Sequence, residues 1–304
     1  MSTAFIFPGQ GGQFAGQAKS WLDRNPGLGE ILALADEISG RPITRLCLEG
    51  PLEELSQTAN LQPAVVAVCL MGHRLMISAE LKPDFTCGHS LGEFSALAAA
   101  GVFDERTTLA LVSRRGVLME EAAAKNPGAM AAVLGLSPED LAAICELARH
   151  EGPVVMANFN TPDQVVISGA ARAVAAAGKY AKMKNGKVLP LPVSGAFHSP
   201  LMAAAAEKFA ADLEKANFRP PACRVLPNST ARPTADPAEI KARLLSQMTS
   251  PVLWTQTVQA LAEAGVTDFR EAWPKPYLTS LVKKCLPRDT AVRAEAFGLS
   301  PLLH

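Results

Sequence analysis

The sequence predicts an α/β protein in which a large domain carries a small inserted subdomain. Three observations lead to this. Short apolar runs that end in Gly- or Pro-rich turns alternate with Ala-rich helical stretches, as buried strands and covering helices do. The composition changes near Asn126-Pro127-Gly128, and from there to 193 the pattern reads strand, helix, strand, strand, helix, strand. That order is the β-α-β-β-α-β unit of ferredoxin-like folds. The large domain then resumes after Ser194, giving expected boundaries of 1–126 plus 194–304, with 127–193 as the insert.

The elements follow in order. Ala4-Phe5-Ile6-Phe7 reads as a buried strand stopped by the Gly-rich loop Pro8-Gly9-Gln10-Gly11-Gly12-Gln13. That loop lacks the lysine of a phosphate-binding G-x-x-x-x-G-K-[ST] and the spacing of a dinucleotide fingerprint. Helices are predicted over 17–38, broken at Asn25-Pro26-Gly27, then from Pro51 at its first turn, and over 62–71. The last of these is apolar nearly all round and therefore central and buried. A strand ending at Cys87, a helix over 93–100 and a helix over 104–124 complete the first part. Within the insert the strands are 129–135, 154–158, 164–169 and 188–193, and the helices 138–149 and 170–184. Beyond it come a helix over 202–216, a strand over 223–226, helices over 237–248 and 258–264, a strand over 266–271 and a last amphipathic helix over 277–285.

Composition narrows the function classes. The 304 residues hold 29 basic and 29 acidic side chains, so neither nucleic acid nor an anionic membrane surface is an expected partner. No apolar run approaches the roughly 20 residues of a spanning helix, and the N-terminus has no signal-peptide pattern, so a cytoplasmic protein is expected. The six cysteines are scattered without a C-x-x-C pair, which suggests neither a zinc site nor a disulfide framework.

The chemistry centres on Gly88-His89-Ser90-Leu91-Gly92, a serine flanked by glycines between a strand and a helix. This fits a nucleophile elbow, although the motif alone suits a plain strand-to-helix turn equally well. A serine nucleophile needs a base at hydrogen-bond distance. Of the five histidines, His150 and His304 read as solvent-facing, His73 as a helix cap and His89 as a packing residue beside the elbow. His198, in a loop between small and aromatic residues, is the candidate base. Asp104, Asp140 and Asp163 lie between Ser90 and His198 in sequence, yet none sits in a convincing catalytic loop. A Ser-His pair oriented by backbone carbonyls is the more economical arrangement. Arg115, beside Gly116, is a candidate carboxylate receptor, against the ordinary alternative of a surface ion pair.

Together these residues resemble the malonyl-CoA:acyl carrier protein transacylases, the acyltransferases of fatty-acid and polyketide synthesis. The matching stretches are Phe7-Pro8-Gly9-Gln10-Gly11, Gly88-His89-Ser90-Leu91-Gly92-Glu93-Phe94, Arg115-Gly116 with Met119, and Asn158-Phe159-Asn160-Thr161-Pro162 with Gln164-Val165-Val166. Gly195-Ala196-Phe197-His198-Ser199-Pro200-Leu201-Met202, and Gln247 ahead of Ser250-Pro251-Val252, complete the set in the family's order. The resemblance implies an α/β-hydrolase-like core with a parallel sheet and an inserted ferredoxin-like subdomain. It assigns Ser90 as nucleophile, His198 as base and a carbonyl near Gln247 as the group orienting His198. It gives the oxyanion to the main-chain N–H groups of Gln10 and Leu91, and the malonyl carboxylate to Arg115. Met119, Phe197 and Asn160 are implied to line the substrate site, with the Phe197 ring filling the space beside the malonyl α-carbon. Malonyl-CoA and a phosphopantetheinylated acyl carrier protein are the implied partners of a monomer that uses no metal or other cofactor. Relatives that hydrolyse stalled acyl groups typically lose the arginine. Malonyl-transferring subunits of malonate decarboxylases share the motifs and form the other alternative. Two stretches depart from the family pattern: Ala272-Trp273-Pro274-Lys275-Pro276-Tyr277 replaces a Gly-Pro-Gly-Lys-type loop, and Asn228-Ser229-Thr230 replaces an Asn-Val pair.

Overall fold

Strand β1 (Ser2–Phe7) is the axis of the large sheet, and Ala4, Phe5, Ile6 and Phe7 are all fully buried. It pairs in parallel with β2 (Phe85–Gly88) on one side, with Phe7 opposite Gly88. The computed structural model, which describes residues 2–193 and 195–299, places four more strands in the antiparallel unit and three more in this sheet. The antiparallel strands are β3 (Gly128–Leu134), β4 (Val154–Thr161), β5 (Gln164–Ala170) and β6 (Lys187–Pro190). The remaining parallel strands are β7 (Arg224–Val225), β8 (Val266–Glu271) and β9 (Arg293–Ala296). The large sheet runs β7-β2-β1-β8-β9, all parallel. A parallel sheet covered on both faces explains why β1 is a continuous apolar run and not an alternating one.

The helix Thr58–Ser78 lies in the centre of the covering layer, packed against Glu105–Lys125. It extends well beyond the predicted 62–71 at both ends, with Pro63 inside its first turns. At 21 residues it is long and apolar enough to cross a membrane by length and composition, which corrects the expectation that no run approaches that length. Its apolar faces are occupied by protein: Leu61, Val65, Val68, Leu70 and Met71 are buried in the main core. A second correction concerns His73. It does not cap this helix but sits within it, between the rings of Phe5 and Phe7, where burial pushes its imidazole down to about 4.

The small sheet has the order β4-β5-β3-β6, all antiparallel, the arrangement of a ferredoxin-like unit. Strand alternation gives it two different faces. Ala131, Val133, Val165 and Ile167 pack under the helices Pro138–Ala148 and Ala171–Met183. Met130, Ala132 and Val166 point the other way and join the core of the large unit. Main-chain bonds from Phe159 N–H to Val252 O (2.9 Å) and from Val252 N–H to Ala157 O (2.8 Å) tie β4 to the large unit.

Several boundaries differ from expectation. β6 stops at Pro190 and not at 193: past the pair with Ala131 the Leu191 N–H still reaches Met130 O at 2.9 Å, but Pro192 has no N–H to continue the ladder. β4 continues to Thr161, because its far end pairs with β5 across a tight turn. The helix predicted from 258 starts at Trp254. The polar edge strand β9 has no counterpart among the predicted elements; its apolar content is low, and Arg270 of β8 holds it through Glu295. His304 lies outside the described residues.

Candidate active site

Ser90 sits at the turn between β2 and the helix Gly92–Ala99 with φ of +52°, the strained backbone of a nucleophile elbow. The flanking glycines are dictated by space. A Cβ on Gly92 would lie 2.0 Å from the Phe7 carbonyl oxygen, and one on Gly88 would lie 2.0 Å from the backbone of Gly92. The Ser90 oxygen is 2.6 Å from His198 Nε2. His198 is itself held at a φ of +57°, and its Nδ1 faces the carbonyl oxygens of Ser250 (3.0 Å) and Gln247 (3.1 Å). Two carbonyls can only accept, so Nδ1 carries the proton and Nε2 presents a lone pair to Ser90. Burial, then the positive charge of Arg115, pushes the imidazole down to about 3, which keeps it in the neutral, proton-accepting form. The three aspartates lie elsewhere. Asp104 caps the helix Glu105–Lys125, Asp140 pairs with Lys184, and Asp163 is exposed in the β4–β5 turn.

The loop after β1 rests against the elbow, since a Cβ on Gly9 would meet the His89 carbonyl oxygen at 2.3 Å and the Leu91 nitrogen at 3.4 Å. Gln10 and Leu91 both line the cavity above Ser90. Among the described residues, neither of their main-chain N–H groups donates a hydrogen bond. The Ser90 N–H, by contrast, donates to Asn228 Oδ1 at 2.7 Å, while Asn228 Nδ2 donates to Gly88 O at 2.6 Å.

Arg115 is not a surface residue: it is only 1% exposed. Its Nη1 donates to Gln62 Oε1 and its Nη2 to Gln247 Oε1, both at 3.0 Å. Its Nε has no partner among the described residues. Both acceptors are neutral amides, so the guanidinium is buried without a directly bonded carboxylate, stacked at 5.7 Å over Phe94. Burial lowers it to about 10, which leaves it charged at neutral pH, and Glu93 pulls the other way. Glu93 is buried too, and burial pushes its carboxyl up to about 7 against bonds from Gln247 and the Asn228 N–H. The Gln247 side chain therefore does more than its carbonyl alone. Its amide donates to Ser90 O (3.0 Å) and Glu93 Oε2 (2.8 Å) while accepting from Arg115.

Around these groups is a cavity of about 340 Å³ that runs between the two sheets. Met119 and Phe197 line it beside Arg115, and Met119 Sδ accepts from Gln62 Nε2. Met130, Ala132 and Val166 form its apolar wall on the small sheet. Asn160 stands on that side as well, accepting from His89 Nε2 at 2.8 Å and donating to Gln164 Oε1 at 3.1 Å. Of the residues to which the resemblance gave roles, Gln10, Ser90, Leu91, Arg115, Met119, Asn160, Phe197 and His198 line one cavity, and Gln247 stands behind it. Gln62, Glu93, Asn228 and Tyr277 also belong here but are not assigned roles by the sequence reading. An amide at the start of an otherwise apolar run marks Gln62, and Glu93 directly follows the elbow glycine Gly92.

Known proteins resemble this chain along almost its whole length. Residues 4–300 match the model of the acyl transferase domain family. The malonyl CoA-acyl carrier protein transacylase of Bacillus subtilis (strain 168) is 40% identical over 283 residues, covering 92% of this chain and 89% of the relative. The crystal structure of an acyl carrier protein S-malonyltransferase from Vibrio cholerae superposes with a TM-score of 0.92 at 36% identity, covering 97% of this chain and 96% of the other. A malonyl-transacylase in complex with its type II PKS acyl-carrier protein gives a TM-score of 0.94 at 35% identity, covering 100% of this chain and 98% of that one. With a match that runs from the first strand to the last helix, the chain belongs to the acyl transferase domain family.

Proposed function

We propose that this protein is a malonyl-CoA:acyl carrier protein transacylase working through a malonyl-Ser90 ester. The single observation that carries the acyl preference is Arg115, a buried cation that among the described residues bonds to neutral amides alone, in the same cavity as Ser90 and His198. A buried charge without a counter-charge is costly, and a ligand carboxylate relieves that cost by accepting the guanidinium's hydrogen bonds. An acyl group that ends in a carboxylate is therefore favoured over acetyl.

The steps follow from the geometry. His198 Nε2 takes the Ser90 proton as Oγ attacks the thioester carbonyl, with the Nδ1 proton held by the Gln247 and Ser250 carbonyls. The resulting oxyanion is received by the free N–H groups of Gln10 and Leu91, the latter at the start of the helix Gly92–Ala99. His198 then gives the proton to the leaving coenzyme A sulfur as the C–S bond breaks. In the second half the pantetheine thiol of the carrier protein loses its proton to His198 and attacks the ester, and Ser90 recovers the proton as it leaves. Met119 and Phe197 shape the acyl end. Asn160 and the apolar wall of β3 and β5 suit a pantetheine arm, which alternates amides with methylenes. No cofactor enters these steps. The insert is taken as 127–193, since all four antiparallel strands fall inside it. Hydrolytic relatives lacking the arginine are disfavoured by Arg115, and the family resemblance extends to carrier-protein transfer.

Intact-protein mass spectrometry after mixing with malonyl-CoA tests this. The expected result is one malonyl adduct on the wild type, its removal by holo carrier protein, and no adduct on Ser90→Ala. A persistent adduct on Ser90→Ala would overturn the nucleophile.

A further inference from the structure

Tyr277 stands in the wall of the site, apart from the Ser90, His198 and Arg115 groups assigned above. It lines the same cavity, and its ring lies on the glycines of the loop after β1. A Cβ on Gly11 would come within 2.4 Å of the Tyr277 hydroxyl oxygen, and one on Gly12 within 3.1 Å of the ring. The hydroxyl donates to the Gln10 carbonyl at 3.3 Å, a long bond, so the ring contact supplies most of the restraint.

Tyr277 is fixed from beneath. The Glu271 carboxylate, fully buried at the end of β8, accepts from the main-chain N–H groups of Tyr277 (3.0 Å), Leu278 (2.8 Å) and Thr279 (3.0 Å). These are the first free amides of the helix Leu278–Cys285, where a carboxylate is favoured. β8 pairs directly with β1, with Glu271 opposite Ile6, so the Tyr277 and Gln10 loops leave adjacent strand ends. The loop being held is permissive: Gly11 has a φ of +114°, and its N–H donates to the Gln13 side chain at 2.8 Å, whose own amide reaches Ser56 Oγ by a long 3.3 Å bond.

We propose that Tyr277 is a positioning residue for acyl transfer, pinning the Gln10-Gly11-Gly12 turn so that the Gln10 N–H stays aimed at the oxyanion formed on Ser90. This rests on the acyltransferase reading above. An oxyanion donor contributes only if it is oriented before charge develops, so loosening the turn costs rate and spares ground-state binding.

The test is the single-turnover rate of Ser90 malonylation in wild type, Tyr277→Val and Tyr277→Phe. For Tyr277→Val the expected result is a fall in kcat of about tenfold with KM within about twofold. Tyr277→Phe, which keeps the ring, should recover to within about threefold of wild type. Affinity for butylboronic acid, which forms a tetrahedral anion on serine, should fall in parallel with kcat. Affinity for an unreactive thioether analogue of malonyl-CoA should not change. Tyr277→Val acylating as fast as wild type, or a loss confined to KM and shared by the thioether analogue, would overturn the inference alone. A wild type that takes no malonyl group under the same conditions would overturn the acyltransferase reading and this inference with it.

Discussion

Arg114 and Arg115 are adjacent in sequence and opposite in fate. Arg114 is exposed and pairs with Asp212, whereas Arg115 faces inward, over the Phe94 ring, and donates to the Gln62 and Gln247 amides. That one-residue difference is a rotation of about 100° on a helix, and it separates a surface ion pair from the proposed carboxylate receptor. Arg115→Ala should lower malonyl transfer about 100-fold, roughly 3 kcal/mol, and raise the share of acetyl transfer. Competition between malonyl-CoA and acetyl-CoA measures this, and an unchanged preference would remove Arg115 from the site. Arg115→Lys should recover only part of the loss, since an ammonium cannot reach Gln62, Gln247 and a carboxylate with one planar fork. Gln62, Glu93 and the Gln247 amide were not legible in the sequence at this scale. A polar side chain in an apolar stretch announces that something is bonded to it, but its partners come from helices more than 50 positions away.

The elbow is the element on which the chemistry depends, and its glycines have different neighbours from those of an ordinary turn. Gly92 faces the Phe7 carbonyl of β1, a backbone atom that cannot move aside without breaking the pairing of β1 with β2. Gly92→Ala should therefore cost about 3 kcal/mol or more and lower the thermal midpoint by several degrees, with loss of Ser90 acylation. Unchanged stability by calorimetry would show that the contact relaxes freely. The G-x-S-x-G spacing marked a tight strand-to-helix turn, but by itself it suited a plain turn as well as a nucleophile, and only its company of distant motifs favoured the second. The edge strand β9 was not legible, because a strand of alternating small and charged residues gains its order from its neighbour and an ion pair to it.

Across the whole molecule, buried ionisable groups make stability depend on pH with opposing signs. His73 ionises near 4 in the fold, against an ordinary 6.5 in an unfolded chain. Between these values the unfolded chain binds the proton and the folded chain does not, so this group withdraws stability as pH falls, by at most about 3 kcal/mol. Burial lowers His89 and His198 in the same direction. Glu93 acts oppositely, because its carboxyl stays protonated in the fold up to about 7 and its contribution is lost as pH rises. The His73 share is isolated by comparing urea midpoints of wild type and His73→Leu from pH 7.5 to 4.5. The wild type should lose stability relative to the variant as pH falls through 6.5. Parallel curves would mean that His73 is not held neutral.

Local chemistry in the sequence carried the fold class: apolar runs with Gly-rich stops alternating with Ala-rich helices. The elbow, the candidate base and the candidate carboxylate receptor were left open by their own surroundings, and were nominated by the family resemblance of motifs spread along the chain. Tertiary structure decided what those groups do to one another. Ser90 and His198 stand 108 positions apart and meet at 2.6 Å only because β2 and the loop after the insert end on the same side of the sheet. Burial of Arg115 depends on Phe94, Gln62 and Gln247 arriving from three further segments. The clamp of Tyr277 on the Gln10 loop exists because β8 lies beside β1. Periodicity and turn residues act over a few positions and survive in the sequence. Desolvation and hydrogen-bond convergence are properties of a shared space, which only the folded chain encloses.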